Sequence, residues 1–539
     1  MLCATTSSAL QLPLWFDLGE IISTQDPYSL PDSHFDTTSR SALDSARLKA
    51  YLRLIPILFL CYVIAYIDRT NVGIAKLTMQ EDLPALSEAI IGFGAGIFFI
   101  GYFLLEVPGS IIVERWSARK WICRIMVTWG IMAALTAFVA LPFQIGSWKV
   151  SQGAVDFWNS MRVGLVVPPA QDGSNSWFAG VCNYFFANEL SLEAFQFYSV
   201  RFLLGVAEAG FFPGVLVYMT HWFPSRDRAR AMSYFLIASP IAMMIGPNVS
   251  QFFINIGRTV MTTDGVTLTH PDLLGLKGWQ WIYIFWGIPA VIVGIAVLYL
   301  LPDKPRDASW LTPSEKEALE NELASDRAKI GAAHHHSLLS GLTNPRVWLL
   351  AIIYFGIVTA NYGVEFFLPS ILKGWYQFQP SHIAWLVMIP SVLVIIGQLG
   401  IGWSSDHFHE RRWHSVLPVV CGSIGLLCAA LFPKHLWLTM LCFTIGAAGM
   451  KAYMPAFWSL PSYFLTSTAA AGSVGLINSI GNLGGFLGPT VIGYVKDKFG
   501  SYEYGLLFLA ATSMISASLI AIMPLRKPDE SSPDESHSG

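Results

Sequence analysis

The sequence predicts an all-α membrane protein with twelve transmembrane helices in two six-helix bundles. Of its 539 residues, 53% are hydrophobic and only 13% are charged, and the mean hydropathy is +0.50. Soluble chains carry about 25% charged residues, so most of this surface does not face water. Apolar stretches of about 20 residues, long enough to span a bilayer, recur along the whole chain.

These apolar stretches form two sets of six, and each stretch predicts one transmembrane helix. The first set begins near Leu52, Ala89, Trp121, Phe195, Ala229 and Trp281. The second set begins near Val347, Ile383, Val416, Leu436, Gly472 and Tyr504.

A polar segment, residues 302–345, separates the two sets and predicts a central cytoplasmic loop with a short amphipathic helix after Thr312. The remaining boundaries follow from it and from the polar ends of the chain. We predict an N-terminal tail at 1–50, an N-terminal bundle at 51–301, a C-terminal bundle at 346–524 and a C-terminal tail at 525–539.

Lys and Arg residues indicate how the chain crosses the membrane. They concentrate in the segments that lie on the same side as the two tails, and such an excess marks the cytoplasmic side. We therefore predict a multi-pass protein of the inner or plasma membrane with both termini in the cytoplasm. Only Arg69, Arg201 and Lys451 are left as basic residues within the predicted helices.

The two halves repeat a loop pattern. The strings SIIVERWSARK (Ser110–Lys120) and GWSSDHFHERR (Gly402–Arg412) both run from a small residue to an acid four positions later and then to basic residues. Such internal repeats are typical of secondary carriers, whose site lies near the bilayer midplane between the halves. The gating-loop candidates are Glu114, Arg115, Arg119, Asp406 and Arg411.

The first half also carries an insertion of about fifty residues relative to the second. Its position is residues 141–194, a polar segment on the extracytoplasmic side. A lid or partner-binding loop and a tolerated surface insertion are both consistent with this segment.

Several function classes lack their sequence signals. No GxxxxGK phosphate loop, HExxH zinc motif or GxSxG nucleophile elbow occurs in a suitable context, and the net charge of −3 does not indicate a nucleic-acid partner. The seven cysteines show no paired spacing. We expect no enzyme activity, cofactor or metal. A non-transporting receptor is the alternative from another class, although receptors usually have a longer tail than the one after Pro524.

Ionisable residues within the predicted helices are the site candidates, because buried charge is costly and usually faces a cavity or a partner. Asp68 and Arg69 are adjacent and point about 100° apart, so one can face the cavity while the other turns to a neighbouring helix. Arg201 and Glu208 are seven residues apart and share a face, but about 10 Å of helix separates them. Structural ion pairs are the alternative for both sets.

The seventh and tenth predicted helices add a further set. Asn361 and Glu365 are four residues apart and share a helix face. Glu365 and Lys451 are a candidate intramembrane pair, since such a pair is neutral and costs less than either charge alone. A direct role for Lys451 in binding substrate is the other interpretation.

Long strings resemble the major facilitator superfamily and, within it, the anion:cation symporter family. The resemblance covers nearly all of the chain from Tyr51 to Pro524. The strings are IDRTNVGIA (Ile67–Ala75), GYFLLEVPGS (Gly101–Ser110), RFLLGVAEAGFFPG (Arg201–Gly214), HWFPSRDRARAM (His221–Met232), NPRVWLLAIIYFGIV (Asn344–Val358) and INSIGNLGGFLGP (Ile477–Pro489).

This resemblance implies a secondary active transporter that works by alternating access. It would import a small organic anion, such as a sugar acid or hydroxy carboxylate, together with H+ or Na+. An exporter or exchanger is the alternative, because the fold does not fix direction. The implied partners are the anion, the coupling ion and the lipid bilayer, and carriers of this fold usually work as monomers.

The resemblance also implies roles for individual residues. Asp68 and Glu208 match the family's proton-coupling positions, and Arg69 and Arg201 match its anion-binding arginines. The expected substrate-binding set is Arg69, Arg201, Tyr66, Tyr102, Asn361, Trp458 and Asn478. The chain departs from the superfamily pattern at Ser110, Glu114 and Ser117, where Gly, Asp and Gly are usual, and at Lys451, which is atypical.

Overall fold

The computed structural model describes residues 36–140, 153, 155–157, 159–160, 191–261, 267–331, 344–433, 435–463 and 467–524. Most of the predicted N-terminal tail, nearly all of the predicted insertion and the whole C-terminal tail lie outside these residues. The main helices are α1 (Asp36–Thr70), α2 (Val72–Asp82), α3 (Glu88–Arg115), α4 (Ala118–Leu135), α5 (Leu192–Glu208), α6 (Phe211–Thr220), α7 (Ser225–Leu236), α8 (Ala238–Ile254), α9 (Gly278–Leu300), α10 (Pro313–Gly331), α11 (Pro345–Tyr376), α12 (Pro380–His407), α13 (Arg412–Leu431), α14 (Leu436–Ala452), α15 (Met454–Phe457), α16 (Ser467–Asn482), α17 (Gly484–Phe499) and α18 (Glu503–Ile522).

These helices build twelve membrane spans within the described part of the chain. Eleven of them are single helices or joined pairs that are long and apolar enough to cross a bilayer. The remaining span, the eleventh in chain order, is the pair α16 and α17, which meet at Leu483. The predicted all-α fold with six spans before and six after the central segment is confirmed.

A small β-hairpin is the one departure from the all-α prediction among the described residues. Strand β1 (Thr259–Met261) pairs antiparallel with β2 (Thr267–Thr269) between the fifth and sixth spans. The strands lie on the side of the bundle opposite the described chain ends, and their three-residue length leaves the membrane architecture unchanged.

The two bundles are pressed together at the end of the molecule away from the described chain ends Asp36 and Pro524. The side that carries those ends is called the terminus side, and the other the far side. On the far side α3 of the first bundle packs on α17 of the second. A Cβ atom on Gly92 would collide with the carbonyl oxygen of Pro489, so the backbones meet without intervening side chains.

Polar contacts reinforce this closure of the far side. Lys373 Nζ lies 2.9 Å from Glu81 Oε1, and the Tyr502 hydroxyl donates to Glu88 Oε1 at 3.2 Å. Lys76 is 1% exposed and its Nζ lies 3.4 Å from the centroid of the Phe367 ring in the opposite bundle. The cavity described below is therefore sealed from the far side.

The central helix α10 is fastened to the first bundle on the terminus side. Thr312 and Glu315 form a reciprocal capping box: the Glu315 amide donates to Thr312 Oγ1 at 3.3 Å and the Thr312 amide donates to Glu315 Oε2 at 2.8 Å. The same carboxylate accepts from Lys49 Nζ at 2.7 Å and from Ser45 Oγ at 2.6 Å in α1. Glu315 thus starts the helix and anchors it.

This attachment depends on pH in one direction. Burial raises the pKa of the Glu315 carboxyl group, but hydrogen bonds from Lys49, Ser45 and the Thr312 amide outweigh burial and lower the pKa to about 2. An ordinary Glu has a pKa of about 4.3. The stabilisation is therefore complete above about pH 5 and is lost as the pH falls from there toward 2.

We expect Glu315→Gln to loosen α10, because the amide cannot hold Lys49 as the carboxylate does. Hydrogen bonds to a charged group contribute about 1.5–3 kcal/mol, so the opening free energy of residues 313–331 should fall by that amount. Amide hydrogen exchange in detergent at pH 7 measures it. The exposed Glu317→Gln on the same helix is the matched control, and equal exchange in both variants would contradict the anchoring role.

Candidate substrate-binding site

A central cavity of about 270 Å³ lies between the two bundles. Several lining residues sit in the parts of their spans nearest the terminus side, including Phe212, Met232 and Met454, so the cavity extends toward that side. The walls are mostly apolar and aromatic, with a few polar groups. The lining residues used below are Tyr66, Arg69, Tyr102, Asn361, Tyr362, Gln398, Lys451, Trp458, Asn478 and Asn482.

Helix breaks near mid-membrane position two of the charged residues. The first span breaks at Asn71, directly after Arg69 and Thr70, and the fourth breaks between Glu208 and Phe211. Gly210 has φ +82°, a left-handed conformation that is strained for residues with a side chain and that glycine adopts freely. Broken helices of this kind are typical of transporter sites.

Arg69 is the central cation of the first bundle. Its Nη2 forms an ion pair with Glu208 Oε1, and its Nη1 donates to the Tyr362 hydroxyl of the opposite bundle at 2.9 Å. The guanidinium carbon lies 5.3 Å from the Phe98 ring centroid and 5.4 Å from that of Tyr102. The charge of Arg69 is therefore neutralised by Glu208 of the same bundle, and the faces of the aromatic rings stabilise the guanidinium group through cation–π contacts.

Asp68 and Arg201 lie one layer behind the cavity wall. Asp68 Oδ2 accepts from the Trp129 indole at 2.6 Å, and Asp68 is 1% exposed. Arg201 is 0% exposed, and its Nη2 donates to the Arg69 carbonyl oxygen at 3.4 Å. Its Nε and Nη1 have no hydrogen-bond partner in the described residues. Arg201 therefore supports the break after Arg69 and does not contact the cavity.

The second bundle supplies a matching pair. Lys451 Nζ lies 2.6 Å from Glu365 Oε1, so the two residues that were candidate partners are brought together. Tyr66 of the first bundle joins them: its hydroxyl donates to Glu365 Oε2 at 2.8 Å and accepts from Lys451 Nζ at 2.7 Å. A neutral hydroxyl group thus bridges the bundles at this point.

Glu106 is a buried site residue that the sequence reasoning missed. Its Oε1 accepts from Asn478 Nδ2 of the opposite bundle at 2.6 Å, and Glu106 is 3% exposed. Glu106 lies within the GYFLLEVPGS string at helix depth. The rule that an acid inside a membrane helix marks function would have found it, as it found Asp68.

The remaining predicted site residues form two groups, those that line the cavity and those that do not. Tyr66, Arg69, Tyr102, Asn361, Trp458 and Asn478 line the cavity, whereas Arg201, Asp68, Glu208 and Glu365 are not among its lining residues.

The gating-loop candidates lie apart from the cavity. Arg119 of the first bundle pairs with Asp303 of the central segment at 3.1 Å, and Arg411 pairs with Asp406 of its own half at 2.5 Å. The side chains of Glu114 and Arg115 lie outside the described residues.

Comparison with known proteins identifies the fold and the family. The model of the Major Facilitator Superfamily matches two overlapping stretches of the chain, residues 173–489 and 350–538. The chain belongs to the Major Facilitator Superfamily. This superfamily member is therefore a multi-pass membrane transporter and not an enzyme.

Individual relatives cover almost the whole chain. A protein of Agrobacterium vitis named "Putative tartrate transporter" is 35% identical over 480 residues, 89% of this chain and 91% of the relative. The "Putative metabolite transport protein NicT" of Pseudomonas putida is 35% identical over 91% of this chain and 98% of its own length. The partially occluded, inward-open xylose transporter XylE of E. coli has the same fold, with a TM-score of 0.60 at 13% identity over 88% of this chain and 98% of that one.

We expect Asp68 to stabilise this transporter by accepting from Trp129. Asp68→Ala leaves a buried indole N–H without an acceptor, at a cost of about 1–3 kcal/mol, whereas Asp68→Asn keeps an acceptor oxygen. Thermal unfolding in detergent should show a lower midpoint for the alanine variant than for the asparagine variant. Combining Asp68→Ala with Trp129→Phe removes both partners and should recover part of the loss; strictly additive losses would contradict the bond's role.

Proposed function

We propose that this transporter is an H+-coupled symporter that imports a small organic anion, a sugar acid or hydroxy carboxylate, by alternating access. The observation that carries the proposal is the ion pair between Arg69, which lines the central cavity, and the buried Glu208. Arg69 lines the cavity and presents a guanidinium group, which forms paired hydrogen bonds with a carboxylate. Glu208 is the carboxylate that an entering anion must replace.

This replacement couples anion binding to proton binding. When a substrate carboxylate binds Arg69, Glu208 loses its cation while it is only 1% exposed to solvent. A carboxyl group in an apolar setting is most stable when neutral, so Glu208 takes up a proton as the anion binds. Because this proton balances the charge of the bound anion, the loaded site has no more net charge than the empty one. The substrate therefore crosses the bilayer with less net charge than it would without the proton.

The other lining groups suit a hydroxylated acid. Tyr102, Asn361, Gln398 and Asn482 place hydroxyl and amide groups at the cavity wall, and these groups both donate and accept hydrogen bonds. Trp458 supplies an apolar surface. A volume of about 270 Å³ is near the lower end of ligand pockets, which favours a small metabolite. The tartrate-transporter name of a relative supports this substrate class.

The side on which the cavity opens bears on the proposed direction of transport and on the orientation of the protein in the membrane. The cavity extends toward the terminus side while the far side is sealed, which corresponds to one end state of alternating access. The excess of Lys and Arg on the terminus side supports a cytoplasmic assignment for it, in an inner or plasma membrane. We propose a monomer as the working unit, since carriers of this fold usually work as monomers.

Uptake into reconstituted liposomes tests the proposal. We expect accumulation of at least one labelled acid from a panel of hexonates, tartrate and aromatic acids when the outside is more acidic, and collapse of that accumulation by a protonophore. Neutral sugars are the control. Accumulation that follows a sodium gradient would replace H+ by Na+ as the coupling ion. Flux of a neutral or cationic solute only would refute the anion-binding roles.

Glu208→Gln separates coupling from binding. The amide cannot exchange a proton, so we expect proton-driven accumulation to be lost while exchange of labelled for unlabelled anion across the membrane continues. Glu193→Gln, at the start of the same helix α5, is the matched control and should accumulate substrate normally. Accumulation against a gradient by the Glu208→Gln transporter would contradict the coupling role.

A further inference from the structure

The cavity presents two cations, one from each bundle, and each is already paired with a carboxylate of its own bundle. Arg69 pairs with Glu208 in the first bundle, and Lys451 pairs with Glu365 in the second. Both cations line the cavity. One cation is sufficient to hold a monocarboxylate, so the second pair is unexplained by the proposed function alone.

Tyr66 fixes the spacing of the two cations. Arg69 Cζ lies 5.9 Å from the centroid of the Tyr66 ring, and Lys451 Nζ lies 4.6 Å from the same point. The two charges cannot be further apart than the sum of these distances. A compact diacid with a carboxylate at each end can therefore engage both cations at once, with its middle carbons beside the Tyr66 hydroxyl.

We infer that the substrate is a dicarboxylate and that Lys451 binds its second carboxylate, which Glu365 replaces when the site is empty. The inference rests on the proposed anion transport and adds the substrate's second charged group. Glu365 keeps Lys451 compensated between transport cycles, because a buried ammonium group without a counter-charge is costly. On substrate entry Lys451 exchanges Glu365 for the substrate carboxylate, and Glu365, left without its cation, takes up a second proton while the Tyr66 hydroxyl continues to donate to it.

The position of Lys451 argues against a purely structural pair. A structural pair needs no access to the transport pathway, yet Lys451 lines the central cavity and also borders a smaller pocket beside Glu365. Besides Glu365, Lys451 Nζ also contacts the Tyr66 hydroxyl of the opposite bundle, so any movement of one bundle past the other changes its surroundings.

A matched pair of substrates tests the inference in liposomes. L-tartrate and L-threonate share a carboxylate and two hydroxyl groups, and threonate has a hydroxymethyl group where tartrate has its second carboxylate. We expect Lys451→Met to lower kcat/KM for tartrate about 10- to 100-fold, as for loss of a charge-assisted hydrogen bond, and to change that for threonate less than about threefold.

Two further variants distinguish misfolding from loss of binding and test whether Glu365 competes with the substrate carboxylate for Lys451. Lys451→Met leaves Glu365 buried without its cation, so the double variant Lys451→Met with Glu365→Gln, which removes both charges, should fold and show the same selective loss. Glu365→Gln alone removes the internal competitor and should lower KM for tartrate but not for threonate.

The outcomes separate this inference from the proposed function. Equal losses for tartrate and threonate in the double variant would overturn it and assign a structural role to Lys451. Wild-type uptake of threonate without any dicarboxylate would overturn it while sustaining anion transport. Wild-type uptake of no acid at all would overturn the proposed function itself, and this inference with it.

Discussion

The compensation of buried charge within each bundle is the constraint on which the rest of the structure depends. Arg69 finds its carboxylate in Glu208, and Lys451 finds its own in Glu365, in both cases inside the same six-span half. Charge separation in an apolar medium is far more costly than loss of a neutral hydrogen bond. Because each half is compensated internally, the halves can change their relative position without pulling opposite charges apart.

The links between the halves are correspondingly weak where they meet the cavity. Arg69 reaches across to the Tyr362 hydroxyl, the Tyr66 hydroxyl reaches Glu365 and Lys451, and the Asn478 amide reaches Glu106. Each of these contacts has one neutral partner. On the far side the ion pair between Lys373 and Glu81 crosses the interface, but both side chains are partly exposed, and water compensates exposed charges when such a pair opens.

Backbone features give these side chains their positions. The breaks at Asn71 and Gly210 end α1 and α5 just after Arg69 and Glu208, so the first bundle's ion pair lies where two helices stop. Gly92 allows the two bundles to meet backbone to backbone, which closes the far side while the terminus side remains spread. The cavity therefore results from helix ends and close approaches as much as from its polar groups.

The sequence by itself determined the spans, their division into two halves and the charged candidates for the site, because span length and the cost of buried charge are local properties. The cavity positions of Tyr66, Tyr102, Trp458 and Asn478 were implied only by the resemblance to the family. The sequence also placed Asp68 and Arg69 on different helix faces. Glu365 and Lys451 were candidate partners from the sequence, but only the tertiary structure decided the partners of Arg69, Arg201 and Glu208. Seven residues of helix separate Arg201 from Glu208, and helical geometry left their partners open. In the folded chain Glu208 pairs with Arg69, whereas Arg201 lies behind the cavity wall. The pairing of Tyr66 with Glu365 and Lys451, and of Glu106 with Asn478, joins residues hundreds of positions apart, and such contacts follow from the packing of whole bundles, which no local pattern encodes.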